Sequence, residues 1–111
     1  ESVVLRVEVR DGSVRLAGKT LDIAANGYAP GAAKLFVRRH DMQVGPAGSG
    51  ALEGSVKRVR TFGLVQRAEV ALSGDEGKTV IEIDAPRDRE LRPGDAVSLQ
   101  PRGYRIFAVQ D

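Results

Sequence analysis

Apolar side chains recur at every second position along most of this chain, and no stretch of ten residues carries them at helical spacing. A period of two puts alternate side chains on opposite faces of an extended strand, so the pattern demands half-buried β-structure and excludes an amphipathic helix. The opening segment shows it most clearly. Val3, Leu5, Val7 and Val9 fall on one face, with Arg6, Glu8 and Arg10 on the other. Asp11-Gly12 follows, and because both residues tolerate positive φ the pair predicts a tight hairpin. The chain then returns through Val14-Arg15-Leu16, turns at Ala17-Gly18-Lys19 and continues through Thr20-Leu21-Asp22-Ile23, a meander of three short strands.

The remainder repeats the theme. Residues 25–33 read as a loop with turn pairs at Asn26-Gly27 and Pro30-Gly31, followed by a short strand from Lys34 to Arg38. Residues 45–50 (Gly-Pro-Ala-Gly-Ser-Gly) are expected to hold no regular structure and to mark the internal boundary. A strand from Leu52 to Arg60 begins in phase and slips by one residue across Lys57-Arg58, as a β-bulge would make it. Leu64, Ala68, Val70 and Leu72 share a face on which Gln66 is the exception, and Val80 to Ala85 alternates again. Ala96–Gln100 and Arg105–Val109 close the chain as two strands joined at Pro101-Arg102-Gly103. The expected fold is all-β: nine or ten short strands in small OB-like barrels, two β units packed together, with a first unit at 1–47 and a second at 48–111.

Composition narrows the chemistry. A chain of 111 residues is one domain or two very small units, and 41% hydrophobic with 29% charged residues describes a folded domain. The absence of Cys excludes a disulfide scaffold, a zinc ribbon, an iron–sulfur site and a thiol nucleophile. No apolar run approaches the ~20 residues a membrane-spanning helix needs. The chain begins at Glu1 without a Met, from which a fragment of a longer protein is expected.

Gly18-Lys19-Thr20 and Gly77-Lys78-Thr79 end like a phosphate-binding loop. The required leading glycines are Ser13 and Leu72, however, and β-type sequence follows where a helix is needed, so both read as hairpin turns. His40 beside Asp41 could orient an imidazole, but no nucleophile accompanies the pair, and a turn is the expected role. Basic residues group at Arg38-Arg39 and at Lys57, Arg58 and Arg60. With Phe62, Tyr104 and Phe107 they suggest a nucleic-acid surface. Ten acids against ten bases in residues 48–111 argue against it. A free-standing OB-type nucleic-acid binding module is therefore the alternative, and no nucleic-acid partner is expected.

Residues 35–41 (Leu-Phe-Val-Arg-Arg-His-Asp), Gly54 to Gly63 with Val56 and Val59 between, and Pro93-Gly94-Asp95-Ala96-Val97-Ser98-Leu99 followed by Arg105-Ile106-Phe107 carry a resemblance in their order and spacing. They resemble the transport-associated OB (TOBE) domain at the C-terminus of ABC importer ATP-binding subunits, most like those of sulfate/thiosulfate importers. Arg39 stands where that family usually has Pro, adding a basic contact. The resemblance implies an accessory, regulatory domain that supports dimerisation of the ATPase subunits and is not itself catalytic. ATP and Mg belong to an N-terminal domain outside this fragment, which itself needs no cofactor and no metal. The implied partners are its own ATPase domain, a second ATPase subunit, the membrane permease through the complex and an oxyanion. The implied location is cytoplasmic, on the inner face of the cell membrane. Arg38, Arg39, His40, Arg58 and Arg60 are the residues expected to bind an anion or a partner.

Overall fold

The computed structural model describes residues 2–16 and 19–109, so the turn expected at Ala17-Gly18 lies outside the described residues. These form ten strands: β1 Ser2–Arg10, β2 Ser13–Leu16, β3 Lys19–Ala24, β4 Gly31–Arg38, β5 Met42–Pro46, β6 Leu52–Phe62, β7 Val65–Leu72, β8 Val80–Pro86, β9 Ala96–Pro101 and β10 Tyr104–Ala108. Two single 3-10 turns, at Arg39–Asp41 and Ser73–Asp75, are the only helical elements among them. The strands make two five-stranded antiparallel sheets, ordered β10-β4-β1-β2-β3 and β5-β9-β6-β7-β8. Each sheet curls toward closure. The Tyr104 hydroxyl at one end of the first sheet donates to the Ala24 carbonyl at the other (2.9 Å), and the terminal strands β5 and β8 of the second come into contact. This is the small all-β, OB-like architecture that the alternation requires.

Local chemistry explains the elements. Val3, Leu5, Val7 and Val9 are buried while their neighbours in β1 are exposed. Asp11 and Gly12 have φ of 53° and 74°, the two positive values of a hairpin turn whose twist matches its strands. β4 begins at Gly31, three residues earlier than the apolar pattern suggests, because Gly31, Ala32 and Ala33 continue the ladder opposite Val9, Glu8 and Val7. The β6–β7 register shifts between Val56 and Arg58, which makes Lys57 the bulged residue, at the position where the sequence phase slips.

Two expectations need correction. Gly45-Pro46 is not loop but the end of β5, paired with Ser98 and Val97. A proline is accommodated there because β5 is an edge strand, whose outward side needs no N–H for the ladder. Leu64 does not join the inward stripe: it is 86% exposed, just beyond the last β6–β7 pair, Phe62 with Val65. Gln66 sits on that stripe instead, buried, its amide donating to the carbonyls of Pro86 and Arg89. A buried polar group is tolerable only when bonded, and Gln66 thereby ties the 87–95 loop to the barrel.

Sheet membership does not follow the 1–47 and 48–111 division. β5 precedes residue 48 yet pairs with β9, and β10 lies at the far end of the chain yet pairs with β4, Ile106 opposite Leu35. Thus β9 and β10 are not a hairpin. The two residues between them, Arg102 and Gly103, carry the chain from one sheet to the other, anchored by the Arg102 N–H on the Asp41 carbonyl (2.8 Å). Each half contributes four strands to one sheet and one strand to its neighbour. The buried side chains of both sheets form one contiguous apolar cluster, to which the first sheet contributes Leu5 and Leu35 and the second Met42, Leu72, Ile83 and Leu99.

Gly54 lies in β6 between β7 and β9, where an added Cβ would come within 2.7 Å of the Ala71 carbonyl oxygen and of a Val70 methyl. Gly54→Ala is expected to destabilise the fold by roughly 1–3 kcal/mol through overpacking. Gly63, with φ of 57° and open space around it, is expected to accept Asn with a change below about 0.5 kcal/mol. Urea unfolding of the two variants checks both values.

Candidate functional site

On the second sheet, period two stands Arg58, Arg60 and Phe62 of β6, Val65, Arg67 and Glu69 of β7, and Glu82, Asp84 and Pro86 of β8 on the solvent side. The register aligns them in rows: Arg58, Glu69 and Glu82; then Arg60, Arg67 and Asp84; then Phe62, Val65 and Pro86. Each carboxylate in these rows meets a guanidinium. Arg67 lies side-on to Asp84, its Nε 2.8 Å from Oδ1 and its Nη2 3.3 Å from Oδ2. Arg60 approaches Glu82 at 3.3 Å and Arg58 approaches Glu69 at 3.8 Å. Arg39, projecting from the 3-10 turn after β4, reaches the other Glu82 oxygen at 3.3 Å. The Phe62 ring sits between Arg60 and Arg67, with guanidinium carbons 5.8 and 5.1 Å from its centroid.

The five expected residues are therefore distributed over two faces. Arg39 and Arg60 come together on Glu82, and Arg58 stands one row along, against Glu69. His40 is 67% exposed, its Nε2 3.7 Å from Asp41 Oδ1. Arg38 points away from this network, into a groove on the outer face of the first sheet. Neither do the aromatics make one stacking surface. Phe62 belongs to the second sheet and Phe107 to the outer face of the first, while Tyr104 is turned inward with its hydroxyl on Ala24. The carboxylate partners Glu69, Glu82 and Asp84, which define the network, escape a reading of basic clusters alone. Their signal is alternation within two strands whose register the sequence does not display.

Chemically, the face is a near-neutral lattice of guanidinium and carboxylate groups around one ring. The more exposed of these pairs, such as Arg58–Glu69 and Arg60–Glu82, contribute about 0–1 kcal/mol each. Such a surface suits the polar rim of a protein contact. Among the described residues no group of three metal-ligating side chains occurs. Gly77-Lys78-Thr79 closes a hairpin: the Gly77 N–H donates to the Leu72 carbonyl, the Leu72 N–H to the Thr79 carbonyl, and β8 follows. Glu90, through a hydrogen bond and its charge, raises Arg92 above the ordinary arginine range.

The chain's similarities to known proteins agree with this architecture. A TOBE-like domain family model matches residues 46–102. The sulfate/thiosulfate import ATP-binding protein CysA of Bradyrhizobium diazoefficiens is 66% identical over 108 residues, 97% of this chain and 30% of that protein. The CysA of Rhodopseudomonas palustris is 59% identical over the same share of the chain, 31% of its own length. The chain thus spans about 30% of the curated relatives it matches. Among solved structures, the cytoplasmic molybdate-binding protein ModG, in a crystal form with molybdate bound, aligns with a TM-score of 0.72. It shares 18% identity and covers 96% of both chains, a likeness of fold.

Removing one carboxylate separates the surface lattice from the buried amide. Glu82→Gln is expected to cost under about 1 kcal/mol at low ionic strength, and less at high ionic strength because salt screens exposed pairs. Gln66→Leu is expected to cost roughly 1–3 kcal/mol at either, because the carbonyls of Pro86 and Arg89 lose their donor. Urea denaturation of both variants at two salt concentrations provides the comparison.

Proposed function

The chain belongs to the TOBE-like domain family, and from that premise we propose that it is the C-terminal accessory domain of an ABC importer ATP-binding subunit for sulfate or thiosulfate. The observation that carries the reading is identity of 66% and 59% to two such subunits along 97% of the chain, with a family match over residues 46–102. Its role is regulatory: it supports dimerisation of the ATPase subunits and performs no catalysis of its own. ATP and Mg are held by the preceding ATPase domain, and the permease is reached through the assembled complex at the inner face of the cell membrane. The near-neutral lattice of Arg39, Arg58, Arg60 and Arg67 with Glu69, Glu82 and Asp84 fits contact with another protein surface, since every carboxylate already has a cation. An oxyanion in place of a protein at Arg39, Arg58 or Arg60 would have to compete with Glu82 and Glu69 for the same guanidinium groups.

The test compares the whole ATP-binding subunit with a form lacking these 111 residues. The shortened subunit is expected to retain basal ATP hydrolysis and to populate the dimer less, as read by light scattering against concentration. Unchanged dimerisation together with unchanged sulfate uptake in cells would remove the accessory role. The isolated chain is expected to release phosphate from ATP at the background rate.

A further inference from the structure

The outer face of the first sheet differs in kind from the lattice on the second. Register places Val4, Phe36 and Arg105 in one row, Arg6, Lys34 and Phe107 in the next, and Arg38 opposite Ser2 at the end. Along β4 the outward residues therefore read Lys34, Phe36, Arg38, with Arg105 and Phe107 beside them in the opposite order. Cations and rings alternate in both directions. Among the described residues, Arg6, Lys34, Arg38 and Arg105 have no carboxylate partner. Glu8 pairs with Arg10, and Asp41, the one carboxylate lining the groove, faces His40. Phe107 and Val4 are half exposed, at 50% and 47%. The groove has a volume of about 770 Å³.

From this arrangement we infer that the outer face of β10-β4-β1 is a docking surface for an extended acidic polypeptide segment of a partner protein. The segment would carry acidic, apolar and acidic side chains at every second position. The inference stands apart from the accessory-domain reading, since it concerns a different face and needs no ATPase. Charge complementarity selects the sign of the partner: four unpaired cations surround the rings. Spacing selects its form. Alternate residues of an extended chain face the same side about 6.6–6.8 Å apart, so a segment lying along β4 would set its facing residues over Lys34, Phe36 and Arg38 in turn. A small oxyanion would leave most of the groove empty and reach only one or two cations. The rings disfavour single-stranded nucleic acid, because Phe36 and Phe107 pack edge to face (centroids 5.1 Å apart, planes at 86°) and form one ridge instead of two platforms for successive bases.

Fluorescence anisotropy of the 111-residue chain with a short labelled peptide tests the inference. The peptide alternates Glu and Val at every second position, with Ser between. Binding is expected, with affinity lowered about tenfold or more when Lys replaces Glu in the peptide, and likewise when Ser replaces Val. Arg105→Glu and Arg38→Glu in the chain are each expected to lower it by about tenfold, with unfolding midpoints unchanged because both side chains are exposed. Arg105→Gln serves where charge reversal disturbs folding and is expected to weaken binding in the same direction. Several outcomes overturn the inference: no binding at millimolar chain, equal binding of the Lys peptide, or affinity indifferent to Arg38 and Arg105. Tighter binding of an oligothymidine overturns it too, as does a self-associated chain that Arg105→Glu renders monomeric, which would put nucleic acid or a second copy on this face.

Discussion

Neither half of the chain can complete a barrel with its own strands. The first meander and β4 supply four strands with one apolar face, and β6 to β9 supply another four. In each case the fifth position is filled from the other half, by β10 beside β4 and by β5 beside β9. Backbone groups at an open sheet edge and the apolar stripe beneath them are costly to leave uncovered. The exchange covers one edge of each set and joins both interiors into one apolar cluster. The rest of the molecule depends on that reciprocity. It fixes where the 3-10 turn at 39–41 crosses between sheets, and hence where Arg39 meets Glu82. It also brings β10 alongside β4, which assembles the groove that holds Arg38, Phe36, Arg105 and Phe107.

The two outer faces show how one strand chemistry yields opposite surfaces. On β6, β7 and β8 the register places opposite charges side by side, within a row for Arg58–Glu69 and Arg67–Asp84 and between rows for Arg60–Glu82, and guanidinium and carboxylate groups satisfy one another. On β1, β4 and β10 the register places cations beside rings and leaves the cations unpaired among the described residues. Net charge, only +2 for the chain, conceals this division. A domain of nearly balanced composition therefore carries one neutralised face and one cationic face.

Much of the strand content was legible from local pattern. The β1 stripe, the Asp11-Gly12 turn and the Lys57 bulge depend on side-chain direction and backbone freedom over a few residues, and all three appear where those rules put them. The site was less legible. Arg38 and Arg39 are neighbours in sequence but leave the chain on opposite sides of a strand-to-turn transition, so adjacency misrepresents their company. Arg39 and Arg60, twenty-one positions apart, share a carboxylate that lies a further twenty-two positions on. Pro46 and Gly31 also show where punctuation misleads: both types break regular structure in general, yet an edge strand and a ladder of small residues hold them.

By itself the sequence determined the secondary structure class, the Asp11-Gly12 turn, the β1 stripe, the Lys57 bulge and the absence of thiol chemistry, because each follows from residue type and spacing over a few positions. It also bore an ordered set of short motifs whose family assignment the comparisons support. Only the tertiary structure decided which strands are neighbours, because antiparallel pairing between distant segments depends on which edges are left open once all ten strands are placed. With that pairing came the partner of every surface charge: whether a given arginine is neutralised by a carboxylate, as Arg60 is, or left beside a ring with its charge unanswered, as Arg105 is.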